Sequence, residues 1–201
     1  RIGADVLGIT LTQRNGQPMA GIPYHAADGY IQKCLRAGKK VAICEQMETP
    51  RPGQLVKRSL SRILTPGTTL EDQHLEADRN QFLLACDWSA DGLAAAWLDL
   101  TTGEFQVASH PRPEALVNVF HALDPREIIL PEEALQTWRS DSRATNWAHE
   151  LDRLLAGRTH SSLMPWQFDR REGARLVMQV LGVMNLDGFG LSLSHPGLGP
   201  A

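Results

Sequence analysis

The stretch FLLACDWSADGLAAAWLDLTTGEFQVAS, Phe82 to Ser109, decides the fold of the longer part of the chain. It holds three short apolar segments, Phe82–Trp88, Leu93–Leu100 and Glu104–Ser109. They are separated by Ser89-Ala90-Asp91-Gly92 and Thr101-Thr102-Gly103, both of hairpin composition. Three antiparallel strands in immediate succession are therefore expected. Downstream, Pro113 to Leu123 aligns Leu116, Val117, Phe120 and Leu123 on one helical face. Glu127 to Leu130 (EIIL) lies between Pro125 and Pro131 and reads as a buried strand reached by a crossover, hence parallel to an earlier one. Helices are expected at Glu132–Trp138, at Trp147–Leu155 and at Arg170–Leu181, the last stopped by Gly182. Antiparallel strands followed by alternating helix and strand describe a ribonuclease-H-like α/β domain over residues 82–182. The segment 183–201 ends in Ser194-His195-Pro196-Gly197-Leu198-Gly199-Pro200-Ala201, with no periodicity and much Gly and Pro, and is expected to be a flexible tail unable to fold by itself.

Upstream, the acidic and polar run Glu71–Gln81 (EDQHLEADRNQ) reads as a linker. Residues 1–70 read as a small mixed α/β domain. Ile9–Gln13 is β-branched and ends at the turn signal Arg14-Asn15-Gly16, and Pro18–Pro23 reads as an extended, sharply shaped connection. A helix over Ala26–Ala37 aligns Ala27, Tyr30, Ile31, Cys34 and Leu35 in one buried stripe, stopped by Gly38 with Lys39 and Lys40. Tyr24 and His25 are expected to pack under its start. Val41–Cys44 reads as a core strand. Glu48–Gly53 reads as a loop, and Leu60–Thr65 as a strand closed by Pro66-Gly67. On that strand Arg62 alternates with Leu60 and Leu64, leaving Ser61 and Ile63 on the other face.

Composition bounds the possibilities. The 201 residues, 42% apolar and 21% charged, suit a globular protein with one large or two ordinary domains. Nothing resembles a membrane span or a signal peptide. Cys34, Cys44 and Cys86 lack metal-ligand spacing and read as reduced thiols, which points to a cytoplasmic protein. The net charge of −3 divides unevenly. Residues 1–75 hold ten Lys or Arg against six Asp or Glu, and residues 76–201 hold ten against seventeen. A basic bias confined to the first domain suits a phosphate-contacting surface. No phosphate-binding Gly-rich loop, dinucleotide fingerprint, zinc spacing or nucleophile elbow is present.

The string PMAGIPYHAADGYIQKCLRAGKKVAICEQ, Pro18–Gln46, with SRILTPGT, Ser61–Thr68, closely resembles the mismatch-recognition domain of the bacterial MutS family of DNA mismatch-repair proteins. The second domain resembles that family's connector, for which a ribonuclease-H-like fold is implied. Val183–Leu191 resembles the passage into its helical lever region. The resemblance implies duplex DNA, mismatched in the full-length protein, as partner. A MutL-like protein is implied at the connector, and homodimerisation through domains outside these residues. ATP and Mg²⁺ are implied only for the full-length family. No cofactor, metal or catalytic residue is expected in these residues, and a nucleoid-associated cytoplasmic location is implied. It implies reading by a Phe-X-Glu wedge, expected upstream of Arg1, that probes from the minor groove how easily a duplex kinks. The DNA-contacting residues implied here are Arg14, Met19, Lys57, Arg58 and Arg62. A guanidinium on a stiff turn can bond a phosphate bidentately, and a flexible thioether between small neighbours can rest against a sugar.

Two other readings stay open. Ribonuclease-H-like nucleases hold Mg²⁺ with carboxylates, and Asp87, Asp99, Glu104 and Asp187 could be drawn into such a set. Alternatively the chain is purely a protein-interaction module, a view that the acidic second domain favours.

Overall fold

The computed structural model describes residues 1–49, 56–68, 80–89, 91–112, 114–132, 134–140 and 145–201. The chain divides into two compact units, Arg1–Arg79 and Asn80–Ala201. Most of the linker expected at 71–81, and part of the Glu48–Gly53 loop, lie outside the described residues.

The first unit begins with a helix the sequence did not announce, α1 (Ile2–Leu7), closed by Gly8 in the left-handed region and packed on the next helix through buried Ala4. The strand expected over Ile9–Gln13 is shorter and later. β1 (Thr12–Arg14) and β2 (Gln17–Met19) form a tight antiparallel hairpin. Its two-residue turn places Asn15 (φ 51) and Gly16 (φ 77) at positive φ, the conformation whose twist suits hairpin strands. Pro18, expected in a connection, sits inside β2, which a two-stranded ribbon tolerates because the missing N–H can face outward.

A 3-10 turn (Tyr24–Ala26) then leads into α2 (Ala27–Arg36). Only Leu35 of the expected stripe is buried, and the remaining members are half-buried. Tyr24 and His25 do not pack under the helix start. Tyr24 is 90% exposed, because the tighter turn before α2 breaks the helical phase that would have aligned it with the stripe. Gly38 (φ 69) ends the helix as expected, with the Gly38 N–H donating to the Leu35 carbonyl and the Lys39 N–H to the Cys34 carbonyl, both at 2.9 Å.

β3 (Val41–Gln46) pairs antiparallel with β4 (Arg58–Leu64). β3 is not the core strand expected. Val41 and Ile43 are half-buried, whereas Ala42 and Cys44 are exposed, as befits a two-stranded ribbon covered on one face. The pairing Ile43↔Arg62 is followed by Cys44↔Leu60, so Ser61 is a bulge. The extra residue breaks the alternation of β4. Leu64 and Arg62 share the face of Val41 and Ile43, while Leu60 falls with Ile63 and Arg58 on the other. That corrects the expected grouping of Arg62 with Leu60. Leu64 is 8% exposed, against 56% for Leu60 and 55% for Ile63.

The second unit is a five-stranded mixed sheet. β5 (Phe82–Ser89), β6 (Gly92–Asp99) and β7 (Glu104–His110) form the expected meander. β8 (Glu127–Pro131) runs parallel to β5, and β9 (Thr159–Leu163), which carries no apolar run, is parallel to β8. The order β7-β6-β5-β8-β9 is the ribonuclease-H-like arrangement. The helices are α3 (Ala115–Leu123), α4 (Ala134–Ser140), α5 (Thr145–Leu155) and α6 (Arg170–Leu181). Leu84, Cys86, Ile128 and Leu130 of the sheet pack with Leu116 and Phe120 of α3, Trp138 of α4 and Leu151 of α5. A second cluster joins Ala174 and Val177 of α6 to Leu186 and Leu198. Asp169 caps α6 by accepting from the N–H groups of Arg171 and Glu172, both at 3.0 Å, and Gly182 closes it at φ 66.

The C-terminal tail is folded, contrary to expectation. Its 3-10 turn Pro196–Leu198 lies against β6, β7 and α6, and Leu198 is fully buried. Here the glycines serve close approach rather than freedom. A β-carbon at Gly173 would stand 1.7 Å from the Leu198 carbonyl oxygen, and one at Gly199 would stand 2.6 Å from that of Phe168. His195 Nδ1 accepts from the Gly197 N–H at 3.1 Å and holds the turn closed.

Candidate nucleic-acid interface

The hairpin brings two of the expected residues together. Thr12 pairs with Met19 and Arg14 with Gln17, so these four side chains share one face, with Gln13 and Pro18 on the other. All six are exposed. The Thr12 hydroxyl donates to the Met19 carbonyl at 2.9 Å, which braces the open end of the ribbon. No acidic residue occurs between Asp5 and Asp28. The result is a small, stiff, uncompensated face carrying one guanidinium, one thioether and one amide. Such a face can bond phosphate oxygens and lie against sugar without first losing much backbone freedom.

Lys57, Arg58 and Arg62 sit elsewhere, on the β3–β4 ribbon, and they do not converge. The Lys57 carbonyl accepts from the Met47 N–H at 2.9 Å, extending the ladder by one bond. Arg58 pairs with Gln46 at that same end. Arg62 is opposite Ile43, nearer the middle, and the Ser61 bulge leaves it on the other face from Arg58. All three are exposed. The five expected contacts thus form two groups on two separate two-stranded sheets.

The carboxylates of the second unit have structural partners instead of a common focus. Asp99 is fully buried. It accepts from the Thr101 N–H at 2.8 Å, the Thr101 hydroxyl at 2.6 Å and the Gln81 N–H at 3.1 Å. Burial pushes its carboxyl up, but these hydrogen bonds together outweigh burial and hold it below its ordinary range. Asp87 accepts from the Trp88 N–H at 2.8 Å. Burial raises its carboxyl, partly offset by that bond and by the Arg170 guanidinium, which itself pairs with Asp91. Asp87 pairs with Ala94 and Asp99 with Phe82, so the two lie at opposite ends of the sheet, roughly 17 Å apart by strand rise. Glu104 accepts from the Gln106 side-chain amide, and Asp187 opens a 3-10 turn in the C-terminal segment. Among the described residues no group of three or more His, Cys, Asp or Glu is placed to hold a metal ion. Glu127, which the sequence did not single out, is buried and accepts from the Ser161 hydroxyl at 2.7 Å, tying β8 to β9. A cleft of about 350 Å³ is lined mostly by apolar side chains, among them Leu83, Leu98, Phe105, Ile129 and Leu176, with Gln167 and Glu172 also in its lining, and the Glu172 carboxylate accepts from the Arg175 guanidinium. The nuclease reading is not favoured.

A two-unit chain, with an exposed cationic hairpin in a small α/β layer followed by a ribonuclease-H-like unit, is the domain pair that comparison with known families finds. Residues 1–73 match the family model described as MutS domain I, and residues 81–201 match MutS domain II. The chain belongs to the MutS family. It is 39% identical over 198 residues to the DNA mismatch repair protein MutS of Syntrophobacter fumaroxidans, covering 93% of this chain and 21% of that protein. To MutS of Nitratidesulfovibrio vulgaris strain DP4 it is 38% identical over 193 residues, covering 92% of this chain and 20% of that protein. To MutS of Treponema denticola it is 35% identical over 214 residues, covering 98% and 23%. The chain spans about a fifth of the length of the curated relatives it matches. Among the described residues, no helix is long and apolar enough to cross a membrane.

Proposed function

We propose that these residues are the DNA-engaging and connecting portion of a mismatch-repair protein. The first unit meets the backbone of a duplex through the Arg14–Met19 face of its hairpin, with Lys57, Arg58 and Arg62 of the ribbon supplying further cationic contacts. The second unit carries no chemistry of its own: it is a connector, offering a surface to a MutL-like partner and transmitting changes that ATP drives elsewhere in the whole protein. Homodimerisation, ATP and Mg²⁺ belong to that whole protein, which acts in the bacterial cytoplasm at the nucleoid. The observation that carries this reading is the exposed, acid-free hairpin face inside a unit that matches MutS domain I.

Anisotropy titration of matched and single-mismatch duplexes at two salt concentrations tests it. Residues 1–201 contain no Phe-X-Glu, so the expected binding is weak, salt-dependent and the same for both duplexes. A marked preference for the mismatch would show that a reader lies within these residues. No salt-dependent binding at all would leave the purely protein-interacting reading in its place.

A further inference from the structure

The cations of the β3–β4 ribbon lie at more than one place along it. Lys57 and Arg58 mark one end, where Gln46 pairs with Arg58. At the other end Val41 pairs with Leu64, and there the chain has just left α2 through the corner Gly38-Lys39. The Lys39 backbone is fixed at this corner by its N–H bond to the Cys34 carbonyl, and its side chain is exposed. The last turn of α2 already has basic residues to offset the dipole of its C-terminus: Lys33, whose ammonium lies 5.5 Å from the centre of the Tyr30 ring, and Arg36. Lys39 stands beyond the cap and is not needed for that purpose. No acidic residue occurs between Asp28, in the first turn of α2, and Glu45, which pairs with Ser59 toward the Lys57 end.

Val41 to Gln46 is five strand steps, so the two ends are roughly 17 Å apart, about five base pairs of duplex rise. We infer that Lys39 is a further phosphate-contacting residue, and that the ribbon lies along a nucleic-acid backbone with Lys39 at one end and Lys57 at the other. The inference rests on the duplex-binding reading above and deepens it: it assigns the ribbon a direction and a second point of attachment.

The test is the slope of log affinity against log salt on a matched duplex, for the full chain and its variants. K39Q is expected to flatten the slope by about 0.9 and K57Q by about the same, as each removes one phosphate contact. The double variant is expected to show the sum, since the two positions are too far apart to share a partner. K39R, which keeps the charge, is expected to retain the original slope. An unchanged slope in K39Q beside a flattened one in K57Q would overturn the inference and leave duplex binding standing. A parent chain with no salt-dependent binding would overturn the duplex reading itself.

Discussion

The carbonyl oxygen of Leu198 occupies the space that a β-carbon at residue 173 would need, 1.7 Å from it. Helix α6 and the C-terminal tail therefore fit only because Gly173 has no side chain, and backbone cannot step aside as a flexible side chain can. G173A is expected to lift the tail and expose Leu198, costing about 2–3 kcal/mol from overpacking and lost apolar burial together. All five tryptophans lie in the second unit, so denaturation followed by their fluorescence reads that unit alone. An unchanged midpoint in G173A would mean that the tail is not held there.

Arg14 and Met19 share a face but differ in chemistry, and their variants should separate. R14Q is expected to flatten the salt dependence of duplex binding by about 0.9 and to weaken matched and mismatched duplexes alike. M19A carries no charge change, so its salt slope should match the parent's while affinity falls slightly. A mismatch-specific loss in R14Q would argue against a backbone role.

The two aspartates of β5 and β6 should respond oppositely to replacement. Asp99 is buried with three donors, and D99A would leave those donors unmet at a cost of about 2–3 kcal/mol. Its folded carboxyl is held low, so its stabilisation is fully present above its ordinary value near 3.8 and is lost as the pH falls below that. Asp87 is raised by burial, so its charged form opposes folding at neutral pH, and that penalty is relieved as the pH falls through its raised value. D87N is therefore expected to be neutral or slightly stabilising at pH 7. Urea titrations at pH 7 and pH 3 check both signs; a D87N chain that unfolds readily at pH 7 would contradict them.

The Ser61 bulge makes a direct forecast for β4. L60T and I63T, on the open face, should change stability by no more than about 0.5 kcal/mol, whereas L64A on the covered face should cost about 2 kcal/mol or more. Hydrogen exchange of the first unit, which contains no tryptophan, measures this. A severe L60T would restore the simple alternation that grouped Leu60 with Leu64.

Much of the second unit was legible because its signals are local. Gly92 and Gly103 punctuate the meander, EIIL is apolar throughout, and α6 is bounded by Asp169 and Gly182. β9 was missed because THSSL has little apolar character and is a strand only by pairing with β8. The tail was missed for a related reason: its glycines and prolines signal disorder until the elements that accept them are known. In the first unit, α1 has six residues including Gly3, too few for a periodic pattern. Of the candidate site, the residue types could be read but not their grouping. That Arg14 and Met19 share a face needed the hairpin register, and the separation of Arg58 from Arg62 depends on one inserted serine.

The three alanines Ala94–Ala96 in β6 look like the least informative residues of the sheet. They are buried, Ala95 toward the helices α3–α5 and the other two toward the opposite face, and the tail's 3-10 turn lies against the same strand. Alanine is a poor strand former, so its use here exchanges local preference for thinness. Three small side chains in succession leave β6 slim on both faces at this point. Drift in sequence should therefore be most restricted where the side chains are smallest, and a single added methyl group in β6 would be felt on whichever face receives it.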